Sequence, residues 1–307
     1  MKMKQIGQFP EIIANKYDRC GESPLWDWRK PALFWNDING RIVHQMDPHS
    51  GHIISLATIS QPAGMALAVG GGLLVAGADG IYTINDGKTL PMMKGIDGRT
   101  TPFNDIVATP TGQIYAGTLF WGDVAMDRTG CLYLINVANK SAVVVDEGIE
   151  LSNGIGLSPD GHTLYYSDST ARRIYAYDIN PDQTLSRKRV FAAVPDSEGI
   201  PDGLTIDAEG FVWSAQWYGG QVVRYDPDGK IERRIALPVK QVSSLAFGGD
   251  EMDCLFITTA GEHWDSAFVP RGYSPTTGMI GGALFAIRPG VQGRREHEVK
   301  IKITNES

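Results

Sequence analysis

The side chains best suited to chemistry in this sequence are amides and carboxylates that recur at a fixed spacing. Asn104, Asn153 and Asp202 lie 49 residues apart, and Glu22 begins a similar stretch near the start of the chain. Carboxylate and amide oxygens are the ligands that hard divalent cations prefer. If these positions meet, the sequence predicts one divalent cation, with Ca²⁺ expected first and Mg²⁺ or Mn²⁺ as alternatives. Zn²⁺ and Fe²⁺ are further alternatives, although the set contains no histidine or cysteine.

An internal repeat must position these side chains. The stretches FNDIVATPTGQIYAGT, SNGIGLSPDGHTLYYSDS and PDGLTIDAEGFVWSAQWYGG each read as a polar opening, an alternating apolar strand, a glycine turn and a second strand. Weaker copies follow Glu22 and Ala63 and begin at Ser244. Six units of about 40 to 50 residues, each rich in strands of period two, are typical of a β-propeller.

We therefore predict an all-β fold, a six-bladed β-propeller that forms a single domain over residues 1–307. The segment PEIIANKYDR precedes the first unit and reads as a strand without a unit of its own. We expect it to pair with the last blade, after GGALFAIRPG, because closing the ring removes exposed sheet edges.

The predicted fold brings equivalent positions together, because the first strand of each blade lies nearest the axis. The positions that should converge are Glu22, Ala63, Asn104, Asn153, Asp202 and Ser244. Buried carboxylates are costly unless they are paired or bind a cation, and this set contains no lysine or arginine. The alternative is that these polar residues only form hydrogen bonds between the turns of neighbouring blades.

Composition narrows the classes of partner. The formal net charge is -7, and no dense basic cluster offers a surface for nucleic acid or for an anionic membrane. No apolar run approaches the roughly 20 residues that span a bilayer. The N-terminal stretch lacks the apolar core of a secretory signal, and the three cysteines have no metal-like spacing. A cytoplasmic protein with a small-molecule substrate is expected, and its oligomeric state is left open.

The repeat stretches, together with CGESPLWD around Glu22, resemble the regucalcin/gluconolactonase family, which includes senescence marker protein and luciferin-regenerating enzyme-like proteins. The resemblance covers essentially the whole chain in order. It implies a six-bladed propeller with one divalent cation at the axis. It also implies that Glu22, Asn153 and Asp202 bind this cation and that Asn104 lies beside the cation and the substrate.

The function that this resemblance implies is the hydrolysis of a lactone, with an aldonolactone expected. The cation would polarise the carbonyl, and Asp202 would be the catalytic base for the attacking water; alternatively, the cation itself activates the water. Asn104, Asp105 and Trp121 are the predicted substrate contacts. Pro102 replaces an arginine that many sugar-lactone members carry, so a less basic and more aromatic mouth is expected.

Two other functions fit the same residues. A calcium-binding regulator would use the cation without turnover, and a phosphotriesterase or other esterase would use it to polarise a different bond. The glycine-, proline- and serine-rich segment 261–282 is expected either to fold over the site or to mediate contacts.

Overall fold

The computed structural model of the protein describes residues 6–119 and 129–301. In this part of the chain the strands form six sheets, five of four strands and one of five. The one helix found there is a short 3-10 turn, Asp196–Glu198. Nothing in these two ranges is a helix of the length and apolar character needed to cross a bilayer.

The first three blades follow one another along the chain. Blade 1 contains β2 (Gly21–Asp27), β3 (Ala32–Asp37), β4 (Ile42–Met46) and β5 (Ile53–Thr58). Blade 2 contains β6 (Pro62–Ala68), β7 (Leu73–Gly77), β8 (Gly80–Asn85) and β9 (Lys88–Met93). Blade 3 contains β10 (Phe103–Ala108), β11 (Ile114–Thr118), β12 (Gly130–Asn136) and β13 (Ser141–Ile149).

The last three blades repeat this order, except that the final one borrows a strand. Blade 4 contains β14 (Ser152–Leu157), β15 (Thr163–Asp168), β16 (Arg173–Ile179) and β17 (Leu185–Ala193). Blade 5 contains β18 (Ile200–Ile206), β19 (Val212–Trp217), β20 (Gln221–Tyr225) and β21 (Ile231–Ala236). Blade 6 contains β22 (Val242–Gly248), β23 (Cys254–Thr259), β24 (Ala283–Ile287) and β1 (Glu11–Asn15).

The inner strands of the blades form a closed ring around the axis. Each of β2, β6, β10, β14, β18 and β22 contacts the inner strand of the next blade, and β22 contacts β2. Strand β1 pairs antiparallel with β24 and supplies the outer strand of blade 6. The predicted six-bladed propeller, closed by pairing of the N-terminal strand with the last blade, is confirmed.

Burial follows distance from the axis and explains the alternation seen in the sequence. Strands β6, β18 and β22 are buried along their whole length, whereas the outer strand β21 alternates between exposed and partly buried residues. Aromatic side chains fill the spaces between blades: Trp213 meets Phe247 edge to face, with 5.7 Å between ring centroids. Facing blades therefore stabilise each other mainly through apolar contacts.

A β-bulge lies at the start of the inner strand of blades 2 to 5. In each of these strands two residues oppose a single residue of the second strand. The bulged pairs are Ala63-Gly64, Asn104-Asp105, Asn153-Gly154 and Asp202-Gly203. Such a bulge bends the strand and changes where its side chains point. The same bulge therefore recurs in four blades and sets the direction of the first side chain of each pair.

Three of these pairs end in glycine because the neighbouring inner strand passes close by. A Cβ on Gly154 would lie 2.3 Å from the Leu204 nitrogen and 2.7 Å from the Asp202 carbonyl oxygen. A Cβ on Gly64 would lie 2.5 Å from the Ile106 nitrogen. A larger residue at Gly64 or Gly154 would therefore require the neighbouring inner strand to shift.

The C-terminal segment enters the ring. Strand β25 (Glu298–Val299) pairs parallel with β6 at the inner edge of blade 2. This fifth strand of blade 2 was not predicted, because a two-residue strand carries no repeat signal. It brings Glu296 and His297 to the axis, at the end opposite the starts of the inner strands.

A buried ion pair supports blade 5, which carries Asp202. The Oδ2 atom of Asp207 accepts hydrogen bonds from Arg224 Nε at 2.9 Å and from Trp213 Nε1 at 2.8 Å. Its Oδ1 atom accepts from the amides of Glu209 and Phe211 in the turn after β18. Asp207 is 0% exposed and Arg224 is 3% exposed, so each charge depends on the other.

Asp207→Ala is expected to lower the free energy of unfolding by about 3 kcal/mol, because it leaves a buried guanidinium without its main partner. The loss lies at the low end of the range for buried pairs, since Glu209 and Glu232 also contact Arg224. The matched control is Asp228→Ala, which removes an exposed carboxylate 3.8 Å from Lys230 and should cost under about 0.5 kcal/mol. Urea unfolding measures both variants, and equal midpoints would contradict the prediction.

Candidate functional site

A cavity of about 420 Å³ lies at the end of the axis where the inner strands begin. All six blades line it, through the inner strands of blades 1 to 5 and the connection that follows β23 in blade 6. The lining includes the following residues, which the repeat predicted to converge: Glu22, Ala63, Asn104, Asn153 and Asp202. The sixth position, Ser244, instead lines a smaller cavity further along the axis.

Hydrogen bonds fix the two asparagines of the cavity against each other. The Nδ2 atom of Asn104 donates to the Ser152 carbonyl at 2.7 Å and to Oδ1 of Asn153 at 3.0 Å. Both N–H bonds of the Asn104 amide are therefore used, and only its Oδ1 atom is left to contact a ligand. Asn104 can act toward a bound molecule as a hydrogen-bond acceptor.

The two carboxylates of the cavity disfavour each other's charge. Burial, followed by the nearby charge of Asp105, raises the pKa of Glu22 to about 8, although the Ser23 amide partly offsets this. The pKa of Asp202 is raised well above its usual range, first by burial and then by the charges of Glu22 and Asp105. No lysine or arginine of the described ranges stabilises either carboxylate.

The donor set of this cavity fits a hard divalent cation. Within residues 6–119 and 129–301 no three His, Cys, Asp or Glu side chains form a cluster that could hold a metal ion. A cation held by Glu22 and Asp202 would therefore need amide oxygens as further ligands, and Asn153 lines the same cavity. Two carboxylates with an amide oxygen match the oxygen ligands that Ca²⁺ and Mg²⁺ prefer.

Aspartates at the ends of second strands hold the chain where it enters two of the inner strands. Asp37, at the end of β3, accepts hydrogen bonds from the amides of Arg19 and Cys20, each at 3.0 Å. Asp168, at the end of β15, accepts from the amide of Leu151 at 3.2 Å. These contacts fix the backbone just before Glu22 and just before Asn153.

The segment 261–282 forms one wall of the cavity through Glu262, His263 and Trp264. Tyr218 donates a hydrogen bond to the Trp264 carbonyl, and its ring stacks on the Trp264 ring at 6.3 Å. The segment was expected either to fold over the site or to mediate contacts, and the structure places it against the site. His263 and Trp264 had no signal in the repeat, because they lie in a connection between strands.

Charged groups at the rim are paired. Arg19 Nε lies 2.5 Å from Glu262 Oε1, and Asn39 Nδ2 donates to Glu262 Oε2 at 2.8 Å. This pairing joins blade 1 to the wall from blade 6. Arg19 lies only three residues before Glu22, yet neither it nor Glu262 shares the register that identified the other residues.

Asp105 does not line this cavity, although it was grouped with Asn104 as a predicted substrate contact. It is the second residue of its bulged pair, where blades 2, 4 and 5 have glycine, and it points along the axis. Its carboxylate accepts hydrogen bonds from the amides of Ile106 at 2.8 Å and Ile155 at 3.3 Å. It lines the smaller cavity of about 60 Å³ with Glu296 and His297.

Burial raises the pKa of Asp105 to about 7, with the Glu296 carboxylate adding to the shift and the two amide hydrogen bonds opposing it. Glycine at the equivalent place of the other pairs is the sequence signal that could have separated Asp105 from Asn104. Trp121, the other predicted substrate contact, lies outside the described residues.

Comparisons with known proteins agree with this architecture. Residues 20–261 match the model of the SMP-30/Gluconolactonase/LRE-like region. A pentonolactonase of Haloferax volcanii is 33% identical over 93% of this chain and 96% of its own length. A 6-deoxy-6-sulfogluconolactonase of Pseudomonas putida is 32% identical over 93% of this chain and 97% of its own.

Among solved structures, regucalcin from Agrobacterium tumefaciens, described as a calcium-binding protein, superimposes with a TM-score of 0.82. It is 26% identical, and the match covers 96% of this chain and 99% of that one. The family model covers the inner strands that carry Glu22, Asn104, Asn153 and Asp202. The chain belongs to the SMP-30/gluconolactonase/LRE-like family.

Proposed function

We propose that this protein is a lactonase that opens the ring of a sugar-acid lactone and depends on one divalent cation held by Glu22, Asn153 and Asp202. The observation that carries the proposal is the pair of mutually repelling carboxylates beside an amide oxygen in one cavity. A cation is the partner that would make this arrangement favourable. Ca²⁺ is the expected ion, in line with the calcium-binding description of the Agrobacterium tumefaciens regucalcin.

The names of the relatives and the hydrogen bonds of Asn104 support the proposed class of substrate. Two relatives of more than 30% identity are named as lactonases of sugar acids. A cavity of about 420 Å³ has the size that small-molecule sites commonly have. Because Asn104 offers only an acceptor oxygen, it would accept a hydrogen bond from a substrate hydroxyl. A lactone that carries hydroxyl groups matches this requirement.

The proposed mechanism assigns one step to each group. A bound cation would act as a Lewis acid on the lactone carbonyl. Asp202 takes a proton from water as the water oxygen forms a bond to the carbonyl carbon. The bond between that carbon and the ring oxygen then breaks, and the ring oxygen takes up the proton. The product is the open-chain hydroxy acid.

A lactone panel tests this proposal directly. Acid release would be followed with a pH indicator for aldono-1,4- and 1,5-lactones, after chelator treatment and after adding Ca²⁺, Mn²⁺, Zn²⁺ or Fe²⁺. The expected result is cation-dependent turnover of at least one aldonolactone. A phosphotriester in the same panel tests the esterase alternative, and absence of lactone turnover with every cation would refute the lactonase.

The calcium-binding regulator is a second candidate, because the Agrobacterium tumefaciens regucalcin is described by its calcium binding rather than by turnover. The two candidates share the cation and differ in chemistry. Tight Ca²⁺ binding in calorimetry, with no turnover in the panel, would favour the regulator.

Asp202→Asn is expected to reduce kcat by at least about 100-fold while leaving the fold intact, because it removes the proposed base and one charge of the cation site. The matched control is Asp228→Asn, an exposed aspartate whose loss should leave kcat unchanged. Steady-state kinetics and circular dichroism measure the two effects. Near-native turnover by Asp202→Asn would refute its assignment as the base.

Glu22→Gln is expected to stabilise the protein in chelator and to destabilise it relative to wild type in excess Ca²⁺. Without a cation the substitution removes a carboxyl whose ionisation is opposed by burial and by Asp105, and with a cation it removes a proposed ligand. A change of about 1 kcal/mol corresponds to about 2 °C in melting temperature for a chain of this size. Thermal unfolding with and without Ca²⁺ measures both; identical shifts in the two conditions would contradict the cation site.

A further inference from the structure

One buried hydroxyl contacts the side chain of one proposed cation ligand and the peptide group just before another. Ser169 follows β15 in blade 4 and is 0% exposed. Its Oγ atom donates a hydrogen bond to the Pro201 carbonyl of blade 5 at 2.6 Å. The same Oγ accepts a hydrogen bond from Nδ2 of Asn153 at 2.9 Å. Because Pro201 directly precedes Asp202, Ser169 joins the side chain of one proposed ligand to the backbone of another.

The direction of these hydrogen bonds is set by the Pro201 carbonyl. A carbonyl oxygen can only accept, so the Ser169 hydroxyl must give its one proton to Pro201. Ser169 then has only lone pairs to offer Asn153, and the amide nitrogen of Asn153 must face it. The Oδ1 atom of Asn153 is thereby turned away from Ser169, toward the side of the cavity where Asn104 lies.

A second carbonyl confirms this orientation from the other side. Asn104 donates to the Ser152 carbonyl, which again can only accept, and its remaining N–H bond donates to Oδ1 of Asn153. The chain of hydrogen bonds thus ends on a carbonyl at both sides, and only one orientation of the Asn153 amide satisfies it. This orientation presents an oxygen, rather than an NH₂ group, to the cavity.

We propose that Ser169 is a positioning residue for the cation. Its hydroxyl holds the amide oxygen of Asn153 toward the cavity and fixes the peptide group before Asp202. This inference rests on the proposed function, in which Asn153 and Asp202 are cation ligands. Ser169 itself does not line the cavity, so it acts through these two residues.

Ser243 makes one of the two contacts that Ser169 makes: its hydroxyl donates to the carbonyl just before a proposed ligand. The comparison shows which contact is specific to Ser169. Ser243, also 0% exposed, donates to the Gly21 carbonyl at 2.5 Å, just before Glu22. A neighbouring blade therefore fixes the peptide group before each of the two carboxylates. The other hydrogen bond of Ser243 goes to Thr258, which is not a proposed ligand, whereas Ser169 bonds to the Asn153 side chain.

The matched control lies two residues earlier, within β15. Ser167 is also 0% exposed, and its Oγ atom makes no hydrogen bond within the described residues. Ser167→Ala removes the same atom from an equally buried place, and no hydrogen bond to Asn153 or Pro201 is lost with it. Any difference between Ser169→Ala and Ser167→Ala then reports the hydrogen bonds of Ser169.

The test is calorimetric titration of the full chain with Ca²⁺ and, separately, Mn²⁺ after chelator treatment. Ser169→Ala is expected to weaken cation binding by about 10- to 100-fold, as is common when a residue that orients a ligand is lost. Ser167→Ala is expected to stay within about twofold of wild type. Unchanged affinity in Ser169→Ala would overturn the positioning role.

The same substitution made in Asn153→Asp separates the orientation of the Asn153 amide from general effects on packing. In Asn153→Asp both side-chain oxygens are equivalent, so no hydroxyl is needed to select one of them. Adding Ser169→Ala to Asn153→Asp should then cost less than about threefold in affinity. An equal loss in both backgrounds would overturn the orientation of Asn153 as the cause. A wild-type protein that binds neither Ca²⁺ nor Mn²⁺ would instead overturn the proposed cation centre, and the positioning role with it.

Discussion

Glu22 and Asp202 occupy one cavity, and the rest of the structure has to hold them there. Burial raises the pKa of both groups, and the charge of Glu22 further raises that of Asp202. Such an arrangement opposes folding unless a cation is bound, so it persists only where the surrounding backbone is held by many other contacts. Those contacts come from the ring itself, in which each inner strand packs on the next.

The bulges determine which side chains of the ring point into the cavity. In an unbroken strand the neighbours Asn104 and Asp105 would alternate between faces of the blade, and neither would need to point along the axis. The bulge places two residues opposite one, and they contact opposite ends of the axial space. Glycine fills the second place in blades 2, 4 and 5 because adjacent backbones nearly touch there. In blades 4 and 5, close packing of the ring and the direction of Asn153 and Asp202 therefore depend on the same feature.

The sequence predicted what repeats and missed what does not. Equal spacing of Asn104, Asn153 and Asp202 identified the repeat, because the same bulge recurs at each of these positions. The direction of Asp105 was not predicted, since the contrast with Gly154 and Gly203 was not used. His263 and Trp264 lie in the connection between β23 and β24. Glu296 lies in the C-terminal segment, which pairs with blade 2 although it follows blade 6 in the chain. Tertiary contacts alone determine where such segments lie, so no local sequence pattern predicts their positions.

Closure of the ring also shapes the mouth of the cavity. The wall formed by segment 261–282 lies between β23 and β24, and both of its ends bind the main chain of Asp18. The Gly261 amide donates to the Asp18 carbonyl, and the Asp18 amide donates to the Gly282 carbonyl, each at 3.0 Å. Asp18 connects β1 to β2, which is where the N-terminal strand of blade 6 passes into blade 1. The positions of the proposed cation ligands depend on strand register, whereas the position of the wall depends on these contacts with Asp18. Residues of the wall can therefore change the shape of the mouth without disturbing the inner strands that carry Glu22 and Asp202.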